Sequence, residues 1–232
     1  MIIAVTNLKG GVGKSTISRT LAVFFAKQGI KVCILDTDLE QKTACDWFER
    51  RPETAVRVPV FPMSTVQNLQ RDVKTHLQDG YKMVIIDGVP QLSDSATKTI
   101  ALADLLIVPV VPSFDDVLSF KRFIERYEQV KVMRDEIPAY TVMNMYAGRN
   151  NEDIETRDVM KAFQKYGIKP METHLENRIA HRRQTKHGLT VLDTGADDAI
   201  EKQIGKARTE ATAFCEEVQN LLMEILKSKK NG

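Results

Sequence analysis

The stretch Lys9-Gly10-Gly11-Val12-Gly13-Lys14-Ser15-Thr16 decides the fold. It follows an apolar, β-branched run, IIAVT at residues 2–6, and leads into a helical pattern from Ser15 to Lys27 that stops at Gly29. A buried strand, a glycine-rich turn and a helix in that order form the context in which such a turn holds phosphate. Glycines let backbone N–H groups approach phosphate oxygens with no Cβ in the way. The helix that follows presents its positive end. Lys14 is placed to meet β and γ phosphates, and the Ser15 hydroxyl to ligate Mg²⁺. The common GxxxxGK[ST] spacing would put glycine at position 8; this chain has Leu8 there, and a second lysine, Lys9, at the loop entrance.

Working outward, apolar runs alternate with helical patterns along the chain. KVCILD (31–36) and KMVIID (82–87) read as buried strands, each ending in an acid, and LLIVPV (105–110) and AYTVMN (139–144) as further strands. VRVPVF (56–61) alternates like a shorter strand, and another is expected near 168–174. Between them fall a polar helix-like stretch ending near Arg51 and helices over 64–79, 114–134 and about 152–166, the last closed by Gly167. A long final helix is expected over about 206–228. Strands alternating with helices mean βαβ units, so the predicted fold is α/β. It is a doubly wound, mainly parallel sheet of about seven or eight strands flanked by helices. The loop YAGRNNE (145–151) is the most linker-like piece and is too short to separate domains, so residues 1–232 read as a single domain with the final helix packed on it.

Composition narrows the classes. A chain of 232 residues, 43% hydrophobic and 28% charged, has enough apolar material to fold, which argues against disorder. No run approaches the roughly 18 apolar residues of a membrane span. With 33 Lys+Arg against 31 Asp+Glu, only local clustering of charge could point to nucleic acid. Cys33, Cys45 and Cys215 form no CxxC pair and no zinc-ligand spacing, which suits a reducing cytosol. The opening MIIAVTNLKGG lacks the basic and long apolar regions of a signal peptide.

KGGVGKST closely resembles the deviant Walker A motif of the ParA/MinD superfamily of P-loop ATPases, nearest the small ParA-type partition ATPases. The likeness continues in Ile34-Leu35-Asp36-Thr37-Asp38, similar to the family's DxD motif, and in Val84-Ile85-Ile86-Asp87, similar to its Walker B. Residues 103–113 with Asp116 resemble the stretch after that motif. Partition proteins commonly show DxDPQ; here Asp38 is followed by Leu39-Glu40-Gln41, which leaves the role of Gln41 open. The resemblance implies ATP and Mg²⁺ as cofactors and slow hydrolysis of ATP. It implies a nucleotide site of Lys9, Gly10, Gly11, Val12, Gly13, Lys14, Ser15, Thr16 and Asn144. It makes Lys9, Lys14 and Asp38 the catalytic set and Ser15, Asp38 and Asp87 the Mg²⁺ side. Asp38 would orient the attacking water. Lys9 would cross a dimer interface to the partner's nucleotide, much as an arginine finger does. Asp36 reads equally as a shaping residue or a metal contact, and Asn144 as an adenine contact or a turn residue.

The segment from Arg178 to His187 carries Arg178, Arg182, Arg183 and Lys186 with no acid. It reads either as a solvated face or as a surface for backbone phosphates of DNA, which need charge but no base readout. Small ParA-type proteins bind nonspecific DNA as ATP dimers and answer to a centromere-binding ParB-type adaptor. The expectation is therefore a cytoplasmic, nucleoid-associated ATPase that partitions a plasmid or chromosome. The alternative is a MinD-like or nucleoid-based ATPase that positions a protein cargo or the division site. No stable membrane anchor is expected, because the tail's apolar stripe runs back through Phe214 and Val218. Trp47, the single tryptophan, is expected in the core or at an interface.

Overall fold

The computed structural model describes residues 1–90, 94–111, 114–134, 137–146, 161, 165, 168–193 and 198–231. The chain runs β1 (Ile2–Val5), α1 (Lys14–Lys27), β2 (Val32–Asp36), α2 (Thr43–Glu49), β3 (Val60–Pro62), α3 (Leu69–Gln78), β4 (Met83–Asp87) and α4 (Asp94–Leu102). It continues through β5 (Leu105–Val110), α5 (Phe114–Lys131), β6 (Ala139–Tyr146), β7 (Lys169–Glu176), α6 (Ile179–Lys186) and α7 (Asp198–Asn231). The seven strands form one sheet in the order β3-β2-β4-β1-β5-β6-β7, and every pairing is parallel. From β1 the chain winds to one side as far as β3, returns to β4, and then crosses β1 to build β5 to β7 on the other side. Loops that leave the carboxyl ends of the central strands therefore converge where the winding reverses, the usual place for a ligand in such sheets.

Side chains of successive strand residues point to opposite faces, and each face has its own core. Ile3, Val5, Ile34 and Ile85 pack on one side with Leu21 and Phe25 of α1 and Phe214 and Val218 of α7. Ala4, Cys33, Leu35, Val84 and Ile86 pack on the other with Phe120, Phe123 and Tyr127 of α5. Both faces are covered, so the central strands are apolar without interruption.

Several element bounds differ from the sequence expectation, each for a local reason. The strand foreseen at 56–61 is shorter and later, at 60–62. Val58 is buried, but the Val56 carbonyl accepts from Arg51 Nε instead of joining a ladder. The helix foreseen from residue 64 begins at Leu69, because Ser64 bonds to Asp72 and Thr65 to Asn68 in a turn. The polar helix before Arg51 covers only Thr43–Glu49, and α5 ends at Lys131. The final helix starts at Asp198, well before residue 206, and ends at Asn231. Gly205 interrupts its pattern, yet Ile204 and Ala207 are buried, and packing overrides propensity there. Of the helix expected at 152–166, residues 161 and 165 are described and are helical; the rest of it, Gly167, most of the 145–151 loop and the side chain of Asp116 lie outside the described residues, and the loop's first two residues belong to β6.

Two features tie the C-terminal region to the sheet. Along the edge strand β7, Glu217 accepts the backbone N–H groups of Glu172 and Thr173 at 2.7 and 2.9 Å, and Glu210 accepts that of Glu176. Groups that would invite another strand are thereby occupied. Lys229 pairs with Asp104 at 2.6 Å, which holds the last turns of α7 on the body of the protein.

The loop after α6 is fixed by a buried ion pair. Arg51 Nη2 lies 2.8 Å from Asp193 Oδ1, with the two side chains 3% and 4% exposed. Arg51 also donates to the Gly188 carbonyl and stacks 4.7 Å from the centroid of Trp47, whose Nε1 donates to Leu189. Removing one partner leaves an uncompensated buried charge. Arg51→Ala should therefore cost about 3–5 kcal/mol, and Arg51→Met with Asp193→Asn, which keeps an acceptor for the Thr190 N–H and hydroxyl, should recover part of that loss. Urea unfolding of the three proteins checks both statements.

Candidate functional site

The register of the central strands builds the site. Asp36 and Asp87 are direct partners across β2 and β4, and Val5 is the partner of Asp87 across β1 and β4. Three strand ends are level, and the loop from Thr6 to Gly13 leaves beside two buried carboxylates. Asn7 anchors the start of the loop, donating from Nδ2 to the Pro109 carbonyl at 2.7 Å and accepting the Lys9 N–H at 3.1 Å. Gly13 caps α1 in the left-handed region, at φ 91°. A Cβ there would also fall 2.1 Å from Asn144 Nδ2, so only glycine fits. No side chain caps α1 and its first turn holds no acid. Its leading N–H groups are left to an anion.

The cavity over this loop has a volume of about 280 Å³. Lys14, Asp38, Asp87 and Arg19 all face it. Lys14 is buried, and its Nζ donates to the Lys9 carbonyl at 2.8 Å. Burial lowers its pKa to about 8, against the opposing pull of Asp87 and Asp38. Asp87 is driven the other way, up to about 6, by burial and then by Asp36; hydrogen bonds from Ser15 and Ser18 and the charge of Arg19 resist. Thr37 locks the two strand ends, its hydroxyl donating to the Asp87 carbonyl at 2.7 Å and accepting the Val89 N–H at 3.1 Å.

Asp36 resolves as a shaping residue. Its Oδ1 accepts the Asp38 N–H, and its Oδ2 accepts the N–H groups of Ala44 and Cys45 at the start of α2. Both oxygens are occupied by backbone donors. Burial raises its pKa, and those donors oppose the rise. Asp38 is only half-buried, and its Oδ1 accepts from Glu40 and Gln41. The carboxylate thus holds its own turn in shape beside the cavity.

Residues 3–191 match the CobQ/CobB/MinD/ParA nucleotide binding domain. The chain belongs to this ParA/MinD family. It is 27% identical over 232 aligned residues to the maintenance of carboxysome distribution protein A of Halothiobacillus neapolitanus, across 97% of this chain and 96% of that protein. It is 23% identical to protein ParA of Rhizobium radiobacter, across 90% and 98%. The septum site-determining protein MinD of Pyrococcus horikoshii, solved with Mg-ADP, shares the fold with a TM-score of 0.71 at 18% identity, covering 97% of this chain and 98% of that one.

In this ParA/MinD domain, Gly11, Gly13, Lys14, Ser15, Thr16, Asp38 and Asp87 line the same cavity. Gly10 is exposed beside it, and Val12 turns into the core. Lys9 contributes backbone groups to the loop. Asn144 is buried, and the contact it makes is with the loop: Nδ2 donates to the Val12 carbonyl at 2.7 Å. The Ser15 hydroxyl and the Asp38 and Asp87 carboxylates are hard oxygen donors. Among the described residues no group of three or more His, Cys, Asp or Glu could hold a metal. Such a donor set fits Mg²⁺, which takes one or two carboxylates and completes its shell with phosphate oxygens and water.

The guanidinium of Arg178 pairs with Glu176 at 2.8 Å and Glu210 at 2.5 Å; both acids come from outside the segment that suggested a cationic patch, and they compete with any phosphate for it. Arg182, Arg183 and Lys186 are exposed on α6. Gln41, whose role the sequence leaves open, lines the cavity, as do Arg19 and Thr43, which sequence reasoning passes over. A cation on the apolar face of α1 is the visible signal for Arg19.

Burial of Asp87 makes a prediction that needs no ligand. Its folded pKa of about 6 lies above the ordinary aspartate value of 3.8. The folded state then binds the proton more tightly than the unfolded state. The stability this confers is full below about pH 4 and is lost as pH rises through about 6, a fall of about 2–3 kcal/mol. Asp87→Asn should abolish that fall and leave the nucleotide-free protein more stable than wild type at pH 7. Denaturation midpoints between pH 4 and 8 provide the measurement.

Proposed function

We propose that this protein is an ATPase that positions a protein cargo by cycling between an ATP-bound dimer on the nucleoid and a free monomer. The near end-to-end likeness to a protein named for carboxysome distribution carries the reading, and it favours a protein cargo over a plasmid or chromosome. DNA partition with a centromere-binding ParB-type adaptor is the second reading, favoured by the likeness to ParA of Rhizobium radiobacter.

The residues suit phosphoryl transfer, in which positioning and charge stabilisation are most of the task. Nucleotide phosphates entering the cavity would draw Lys14 Nζ from the Lys9 carbonyl and strengthen its hold on its proton. The N–H groups of the loop and of the first turn of α1 hold the phosphate oxygens. Ser15, Asp38 and Asp87 would hold Mg²⁺, which when bound neutralises charge on the phosphate oxygens. Asp38, on a turn fixed by Asp36, orients the attacking water. Lys9 reaches the nucleotide of a second copy, so ATP joins two subunits and hydrolysis releases them. Exposed cations of α6 then meet DNA phosphates, doubled in number by dimerisation.

Two sets of variants test this cycle. Asp38→Ala should bind ATP, lose turnover and accumulate as a dimer in size-exclusion chromatography, while Lys9→Ala should bind ATP and fail to dimerise. Wild-type turnover in the first or an undiminished dimer in the second removes that residue from the cycle. In cells, deletion of the gene should scatter a protein assembly and leave plasmid retention unchanged; plasmid loss would favour the second reading.

DNA binding should fall steeply with salt, because each phosphate contact releases counterions. Arg183→Glu with Lys186→Glu should weaken ATP-dependent binding to random-sequence duplex and reduce the salt slope by roughly one to two. Fluorescence anisotropy at several salt concentrations measures this, and an unchanged slope would move the DNA surface off α6.

A further inference from the structure

Arg19 is 4% exposed, yet it forms no ion pair among the described residues. Its two hydrogen bonds are long: Nη1 donates to the Thr43 carbonyl and Nη2 to the Thr16 hydroxyl, both at 3.4 Å. A guanidinium carries five N–H donors, so most of its capacity is unused. Its third neighbour is the face of Trp47, whose centroid lies 5.8 Å from Cζ. The charges of Asp87 and Asp36 favour the cation without pairing with it, and burial outweighs them; a buried cation with no ion pair gains from a ligand that meets it.

Its position says what that is. A second cavity, of about 230 Å³, adjoins the phosphate cavity and reaches toward α6. Thr16, Arg19 and Met145 are common to both. A ligand held at the loop by its terminal phosphates and extending into the second cavity must cross these three residues. The group that falls there is an anion next in line after the phosphates at Lys14. We propose that Arg19 is a nucleotide-binding residue that meets the α-phosphate at this crossing and turns partly away from Trp47 to do so. The inference rests on the ATP-binding reading above and adds a contact to it. It also makes Trp47, the single tryptophan, a built-in reporter of nucleotide.

Arg19→Met tests the proposal, with Arg19→Lys as the charge-retaining companion. Since the cation is poorly compensated, nucleotide-free Arg19→Met should unfold at the wild-type temperature or above. Its affinities for ATP and ADP by calorimetry should both fall at least roughly tenfold, because a charge-assisted hydrogen bond to phosphate is lost. Arg19→Lys should recover some of this loss. Trp47 emission should change when nucleotide is added to wild type and stay constant in Arg19→Met. Affinities for both nucleotides within about twofold of wild type would overturn the proposal. So would a loss confined to ATP, which would put Arg19 at the γ-phosphate. A fall in nucleotide-free stability with an undiminished nucleotide-induced rise in Tm would make Arg19 structural and likewise overturn it. Wild type that binds no ATP is a different result, and it removes the ATP-binding reading itself.

Discussion

The level ends of β1, β2 and β4 are the constraint on which the site depends. Parallel pairing puts Asp36 opposite Asp87 and Val5 opposite Asp87, and Thr37 bolts the two acid-bearing ends together. A slip of one residue in either pairing would turn every side chain of that strand to the other face. It would exchange the two cores and carry a carboxylate away from the loop. The packing that makes the sheet stable is therefore the same packing that sets the distance between the phosphate loop and the acids. No separate mechanism is needed to hold the site in place.

Against that rigid frame the site's charges are poorly satisfied. Lys14 leans on a backbone carbonyl, and its hold on its proton is weakened, to about pH 8. Asp87 is held up to about 6 by burial. Arg19 has two neutral acceptors at 3.4 Å. Each group is unfavourable where it stands, and the unfavourable terms have opposite signs of charge. A polyphosphate with a divalent cation answers all three together: anionic oxygens for the two cations, a cation for the carboxylate. Charged groups held in place before a ligand arrives are the electrostatic preorganisation that phosphoryl transfer uses.

The frame was legible in the sequence and the surface was not. Residues 9–16, the acids closing β2 and β4, and the strand–helix alternation carry strong local signals: a glycine, Gly13, where a Cβ would collide, and unbroken apolar runs where both faces are covered. Features decided by distant partners were not legible. Arg178 looks like one cation among four in its own segment, and only the fold brings Glu210 of α7 to it. Asp36 could equally have been a ligand until Ala44 and Cys45 were seen to occupy it. The start of α7 was hidden by Gly205, because periodicity does not register packing that outweighs a glycine. Arg19 is easily passed over because a cation on an apolar helix face reads as a snorkelling residue unless a cavity is known to lie above it.

The C-terminal third is bound to this frame by contacts that are ionic at their centre. Arg51 leaves α2, which starts where Asp36 caps it, and reaches Asp193 and the Gly188 carbonyl beyond α6. Trp47 lies between Arg51 and Arg19, with its indole N–H on Leu189. The helix that follows the Asp38 turn and the loop that ends α6 are therefore packed against the same residues. A displacement of α2 cannot leave the loop where it is, since moving Arg51 would strand Asp193 as a buried charge.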